Sequence, residues 1–336
     1  MHLCSKLFYN KHNIMTQVVL AIDLGGTSAD FAFINLDGKI LYKENIPSKD
    51  FDTANSFVQL VKKRSEQAIS SNKLDVKVRA IGIGAPNGNY YRGTIEFAPN
   101  LNWKGIIPIA DYFKMAFGGT PCFLTNDANA AAIGEGMFGN AQNVKDFIMI
   151  TLGTGVGSGI VINDRLIYGN DGFAGELGHV IVKDEGRQCG CGRQGCLETY
   201  ASVTGLKRTV IKLLMDNKFK SELKGISFEE LSGKMVSKAA LKGDALALEA
   251  FRYTGDILGK ALANFVAFSS PNLIILFGGL AQAGELILKP TKKAMEKNLL
   301  KIYRGKVPII MSGLKGNDAA ILGAGALAWK EMGVRN

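Results

Sequence analysis

The stretch 17–38, QVVLAIDLGGTSADFAFINLDG, decides the fold class. Gln17 to Asp23 is a short apolar run that ends in Asp-Leu-Gly-Gly-Thr at 23–27. Residues then alternate to Asn35, a Leu36-Asp37-Gly38 turn follows, and Lys39 to Asn45 resumes a strand pattern. This spacing predicts a β-meander whose first turn is rich in glycine. The stretch 147–163, FIMITLGTGVGSGIVIN, repeats the plan: an apolar run from Phe147 to Thr151, Thr-Leu-Gly-Thr-Gly at 151–155, and a strand from Gly157 to Asn163. A tight Asp164-Arg165 turn and Leu166 to Tyr168 complete it. Asp23-Leu24-Gly25 aligns with Thr151-Leu152-Gly153, and Ile34-Asn35 with Ile162-Asn163, at one constant offset. Two copies of one unit, each opening its own half, predict a duplicated two-domain architecture rather than a solenoid of many short repeats.

Between the copies the pattern predicts a helix from Thr53 to Ser71, a strand from Ala80 to Gly84 and an alanine-rich helix from Ala128 to Glu135, introduced by Asn126-Asp127. After the second copy, helices are expected over Glu198 to Asp216, Ser227 to Leu241 and Ala245 to Phe268. A strand over Leu273 to Phe277 then ends in Gly278-Gly279, and a closing helix begins at Asn317-Asp318. Strands followed by helices, with glycine at the strand ends, predict α/β sheets.

Of the 336 residues, 47% are hydrophobic and 21% charged, which excludes a disordered chain. The net charge of +10 is spread over helical segments, as at Lys62, Lys63, Lys207 and Lys212. A solvated surface that favours anionic small molecules, with no nucleic-acid partner, is therefore expected. No apolar run approaches the roughly 20 residues that span a bilayer, so no membrane association is expected. The first 16 residues lack the centre and cleavage site of a signal peptide and read as a loose tail ahead of a start at Met15. Five cysteines, three of them between 189 and 196, argue against a secreted disulfide framework and for a metal site in a cytoplasmic protein.

Gly25-Gly26-Thr27 and Gly153-Thr154-Gly155 read as paired phosphate-cradling turns, because glycine lets backbone amides approach an anion. No Gly-Lys is followed by Ser or Thr, so the P-loop pattern is absent. G-x-G-x-x-G spacings occur at Gly134, Gly136, Gly139 and at Gly190, Gly192, Gly195, but neither follows a predicted strand, which removes the dinucleotide reading. Asp23, at a strand end beside its turn, suits a partner for Mg²⁺-bound water. Asp127 suits either a general base or a helix cap, and the residues alone leave both open. His179, Cys189, Cys191 and Cys196 give His-x9-Cys-x-Cys-x4-Cys, a closed tetrahedral set for structural Zn²⁺. Glu176 and Glu198 flank it, where a metal-pinned loop could aim them at a polyhydroxylated ligand.

Asp-Leu-Gly-Gly-Thr at 23–27, Asn126-Asp127, Thr-Leu-Gly-Thr-Gly at 151–155, Glu-Leu-Gly-His at 176–179 and Cys-Gly-Cys-Gly-Arg-Gln-Gly-Cys-Leu-Glu at 189–198 closely resemble the ROK family of bacterial sugar kinases and sugar-responsive repressors. The resemblance runs from about Val18 to the C-terminal helix. It implies an actin-like, hexokinase-like (ribonuclease H-like) α/β fold, with ATP in an interdomain cleft, and phosphorylation of a hexose, glucose first, at its 6-hydroxyl. N-acetylglucosamine, N-acetylmannosamine, mannose and fructose are the alternative acceptors, and a sugar-sensing repressor the alternative class. A repressor would carry a DNA-binding module ahead of the first strand, for which the 16 residues before Gln17 are too few.

The same resemblance makes Asp127 the general base and sets Asn100, Asn126, Glu176, His179 and Glu198 on sugar hydroxyls, with His179 also on zinc. It places Gly278 and Gly279 against adenosine and implies a homodimer. Domains are expected at 17–126 (small) and 127–316 (large, with the zinc loop at 179–196), the helix of about 317–336 packing back on the small one. Where many members have Pro-Gly after the third strand, this chain has Ala85-Pro86-Asn87-Gly88, a difference that bears on substrate choice.

Overall fold

The computed structural model describes residues 15–314 and 318–334. Most of the expected tail (1–14), the start of the closing helix at Asn317, and residues 335–336 lie outside the described residues. In chain order, β1 (Thr16–Leu24), β2 (Ser28–Ile34) and β3 (Ile40–Pro47) form the expected meander. In α1 (Ala54–Ser71) Phe57, Val58 and Val61 are buried, and Thr53 caps the helix by accepting the Ser56 amide at 3.2 Å. Next come β4 (Val76–Gly84), the short β5 (Gly88–Asn89), β6 (Thr94–Glu96) and β7 (Ile106–Ile107), then α2 (Ile109–Ala116), β8 (Cys122–Thr125) and α3 (Asp127–Phe138). The second half holds β9 (Phe147–Leu152), β10 (Val156–Ile162), β11 (Arg165–Leu166), α4 (Glu198–Ala201), α5 (Val203–Met215), α6 (Gly233–Leu241), α7 (Ala245–Ser269), β12 (Leu273–Phe277), α8 (Glu285–Asn298), β13 (Ile309–Met311) and α9 (Ala319–Glu331).

The duplication extends from motif to topology. One sheet runs β3-β2-β1-β4-β8 and the other β11-β10-β9-β12-β13. In each, the central strand (β1 or β9) pairs antiparallel with the next strand in sequence and parallel with a later one. The parallel edges continue through β8 and β13. Phe31, Phe57 and Phe113 pack one face of the first sheet under α1 and α2, and Ile150, Leu262 and Leu276 pack one face of the second under its helices. The two facing surfaces share a third core, in which Ala131 and Ala132 of α3 and Ala324 and Leu327 of α9 meet Ala21 of β1, Met149 of β9 and Ile275 of β12. Small side chains let α9 lie on the first sheet and α3 lie against α9, on the second sheet and beside β4 of the first, so α3 is wedged between the halves with Asp127 at its head.

Three readings of the sequence need correction. The second hairpin turns at Asn163 and Asp164, both at positive φ (52° and 62°), one residue earlier than the spacing predicts. Asn and Asp tolerate this conformation, and paired positive φ matches the strand twist of a two-residue hairpin. The helix expected over 198–216 breaks at Ser202, whose backbone is extended and whose Oγ caps α5 by accepting the Gly205 amide at 2.9 Å. The next starts at Gly233, with Ser232 as its cap, rather than at Ser227. Helices α2 and α8, strands β8 and β13 and the small sheet β5-β6-β7 carry no reading in the sequence pattern. Among the described residues, no helix is long and apolar enough to cross a membrane.

Candidate active site

β1, the central strand of its sheet, delivers Asp23 near its C-terminal end, two residues before Gly25 opens the glycine turn. The end of β3 staples that turn, Ser48 donating through Oγ to the Gly25 carbonyl (2.6 Å) and through its amide to the Thr27 carbonyl (3.1 Å). Burial, then the charges of Asp127 and Asp30, push the Asp23 carboxyl up from 3.8 to about 6 against the pull of Lys43. Lys43 itself bridges Asp30 and Asp318, each at 2.9 Å. A half-buried carboxylate facing like charges is an environment that a divalent cation would relieve, so the site fits Mg²⁺.

At the head of α3, the helix cap is Asn126, whose Oδ1 accepts the Asn129 amide at 2.6 Å. Asp127 is the first helical residue, its Oδ1 accepting only the adjacent Ala128 amide in the local turn (2.8 Å). The two glycine turns flank this point. Asp23 reaches Asp127 electrostatically from one side, while Gly157 of β10 packs on Ala128 from the other, where an added Cβ would come within 2.8 Å of the Ala128 methyl. Gly26 presses on the Asn100 backbone, a Cβ there falling 2.1 Å from its carbonyl oxygen, so the first turn also abuts the segment of Asn100. Thr27, Asn100 and Thr154 are exposed.

The second turn joins the rest of its half. Gly153 accepts the Val203 amide at the start of α5 (2.9 Å), and Leu152 accepts the Leu280 amide (2.9 Å), which sets Gly278 and Gly279 beside it. A Cβ on Gly155 would stand 2.6 Å from Glu198 Oε2. Burial, with the charges of Asp127 and Glu198, raises the Glu176 carboxyl above the usual range against the opposing influence of His179. Asp23, Asp127, Glu176, Glu198 and His179 therefore share one electrostatic neighbourhood.

His179 ends a short turn at Leu177–His179, and its ligand nitrogen lies with the thiols of Cys189, Cys191 and Cys196 within 4.8 Å of one another. Cys189 Sγ is 3.7 Å from His179 Nδ1, and the Cys191 and Cys196 sulfurs are 3.7 Å apart. Thiolates about 2.3 Å from a shared ion at the tetrahedral angle stand about 3.8 Å apart, so the donor set fits Zn²⁺. Cys189 Sγ also lies 3.0 Å from Glu198 Oε1, which ties this cluster to the acidic group. Sequence reasoning missed Arg187, which donates to the Thr199 and Gly205 carbonyls (2.8 and 2.9 Å) and to Thr209 Oγ1 (2.9 Å), its guanidinium lying over Tyr200. It fastens the cysteine loop to α4 and α5, and an arginine beside a cysteine cluster is the only trace of this in the sequence.

Known proteins sharpen this picture. A glucokinase from Halalkalibacterium halodurans is 34% identical over 92% of this chain and 94% of its own. The crystal structure of a ROK family glucokinase from Streptomyces griseus, in complex with glucose and AMPPNP, superposes with a TM-score of 0.76 at 34% identity, covering 93% of this chain and 99% of that one. The transcriptional dual regulator NagC of Escherichia coli is 28% identical over 93% of this chain and 75% of its own length. The two-domain fold is the actin-like ATPase fold of such kinases. With the ROK family profile matching residues 19–331, this chain belongs to the ROK family.

Proposed function

We propose that the protein transfers the γ-phosphoryl group of ATP to the 6-hydroxyl of a hexose, with glucose as the principal acceptor. The observation that carries this reading is the convergence of Asp23, Asp127, Glu176 and Glu198 around the head of α3, between two glycine turns. Phosphoryl transfer needs alignment, charge neutralisation and a group to take the acceptor proton. Asp127 is that group, and Asn100, Asn126, Glu176, His179 and Glu198 orient the sugar hydroxyls. Gly25 and Gly153 spend their amides inside the turns, on the Ser28 and Gly155 carbonyls (both 3.0 Å), and so shape them. The Gly26 and Gly155 amides, with Thr27 and Thr154, hold the phosphates, and Gly278 and Gly279 border the adenosine.

Asp23 would hold Mg²⁺ through its water shell, and the ion when bound supplies charge neutralisation on the phosphates. The four Cys and His ligands would hold a structural Zn²⁺; with Nδ1 toward the thiols, Nε2 of His179 is left for a sugar hydroxyl. A homodimer acting on small molecules, without nucleic acid, belongs to the same reading. The test is coupled ADP release over a panel of hexoses and acetamido sugars, for wild type and Asp127→Asn. Glucose should be preferred, and the variant should bind it yet lose about 10²- to 10⁴-fold in kcat. Uniform activity across the panel, or near-normal turnover by the variant, rejects the reading.

A further inference from the structure

Asn87, Gly88 and Asn89 follow β4 and touch three separate segments of the candidate sugar site. Asn87 adopts a left-handed φ of 51°, and its Nδ2 donates to the carbonyls of Glu96 (3.0 Å) and Phe97 (3.4 Å). Those residues lead into Ala98-Pro99-Asn100. Gly88 lies on the backbone that precedes Asn126-Asp127, a Cβ there falling 2.5 Å from the Thr125 carbonyl oxygen. Asn89 is fully buried. Its Nδ2 donates to the Asp171 carbonyl (2.8 Å), and its Oδ1 accepts the amides of Tyr91 (3.1 Å) and Arg92 (3.2 Å).

The bridge to the second half is broader than one bond. The Tyr91 hydroxyl donates to the Gly169 carbonyl at 2.9 Å, and Tyr90 stacks on Tyr168 with ring centroids 4.0 Å apart. The segment so held, 168–172, runs on to Glu176. A buried side-chain amide is costly unless its bonds are made; here the oxygen is satisfied by the local turn and the nitrogen by a carbonyl of the second half. At position 87 glycine would serve the left-handed turn as well, so the amide of Asn87 adds a tie that the turn itself does not require.

We infer that Asn87 and Asn89 are positioning residues for the hexose: they fix the Asn100 and Glu176 segments relative to Asp127 and so set which hexoses fit. The inference rests on the kinase reading above. Asn87→Gly keeps the backbone conformation and deletes only the amide; Asn89→Asp keeps the shape and removes the donor to Asp171. In the coupled assay each should raise the glucose KM by about 3- to 10-fold, the usual worth of a lost hydrogen bond, with kcat and the ATP KM unchanged. The ratio of kcat/KM for glucose over mannose should shift as well.

A purely structural role would lower thermal stability and disturb both substrates together. Sugar KM and selectivity that stay within about twofold of wild type, or sugar and ATP KM values that rise in parallel, overturn the inference. Asn87 is exposed, so Asn87→Gly decides alone if Asn89→Asp does not fold. Wild type inactive on every sugar removes the kinase reading and this inference with it, whereas an active wild type with unaltered variants removes this inference only.

Discussion

Asp23 ends a buried strand with Asp127 and Asp30 in electrostatic reach, and its carboxyl titrates at about 6 rather than 3.8. Between those two values the folded chain keeps a proton that the unfolded chain has released, so stability falls as pH rises through that window and the deficit is complete above about 6. Asp23→Asn is expected to stabilise the protein by about 1–2 kcal/mol above that window, less than the full shift implies because the side chain keeps some contact with water. The gain should fade as the solution is acidified toward the ordinary carboxylate range. Denaturant unfolding across pH checks this, and a variant less stable than wild type at neutral pH contradicts it. The same change should depress turnover, because it removes the carboxylate suited to Mg²⁺. The position of Asp23 was legible from a strand run into a glycine turn, but its raised pKa was not, since that depends on a neighbour brought in by α3.

At the scale of elements, the loop 179–196 was legible because metal chemistry demands particular residues at short spacing. Arg187 was not, because its partners lie on α4 and α5 and the residue alone names none of them. Similar reasons hid α8, where Pro290 interrupts the helical pattern. In the fold Pro290 rests against Gly255 of α7, so packing sustains a helix that local preference opposes. The small sheet escaped notice because its strands are two or three residues long, too short to show a period. The loop proposed to hold zinc also supports a prediction. Cys196→Ser should lower bound zinc, measured by elemental analysis, from about one equivalent toward none, and raise the glucose KM by about tenfold or more, because Cys189 and His179 adjoin Glu198. The ATP KM should hold, and full zinc content with unchanged sugar binding would separate the cluster from the site.

For the whole molecule, the paired sheets were legible as a repeat, yet what joins them was not, because the joint is built from α3 and α9, far apart in the chain. Glu135 of α3 lies at its centre, fully buried. It accepts the amides of Asn140 (2.8 Å), Gly313 (3.3 Å) and Leu314 (3.3 Å), together with the Ser312 hydroxyl. Residues 312–314 follow β13 of the second sheet and precede α9, which packs on β1 and β4 of the first. One carboxylate thus ties the helix that carries Asp127 to the link between the halves. Any closure of one half on the other about a bound sugar must turn around this joint rather than break it. Glu135→Ala would leave the buried Leu314 amide and the donors of the partly buried bonds at Asn140, Ser312 and Gly313 without this acceptor, at about 1–3 kcal/mol for each that water cannot reach, so a loss of about 2 kcal/mol or more is expected in urea unfolding. Amide exchange should quicken at Asn140 and at 313–314, while Glu135→Gln, which keeps one acceptor oxygen, should lose less. Equal losses from the two substitutions would mean that the side chain acts by filling space, and the joint would then have to be sought in the alanine-rich contact of α3 with α9.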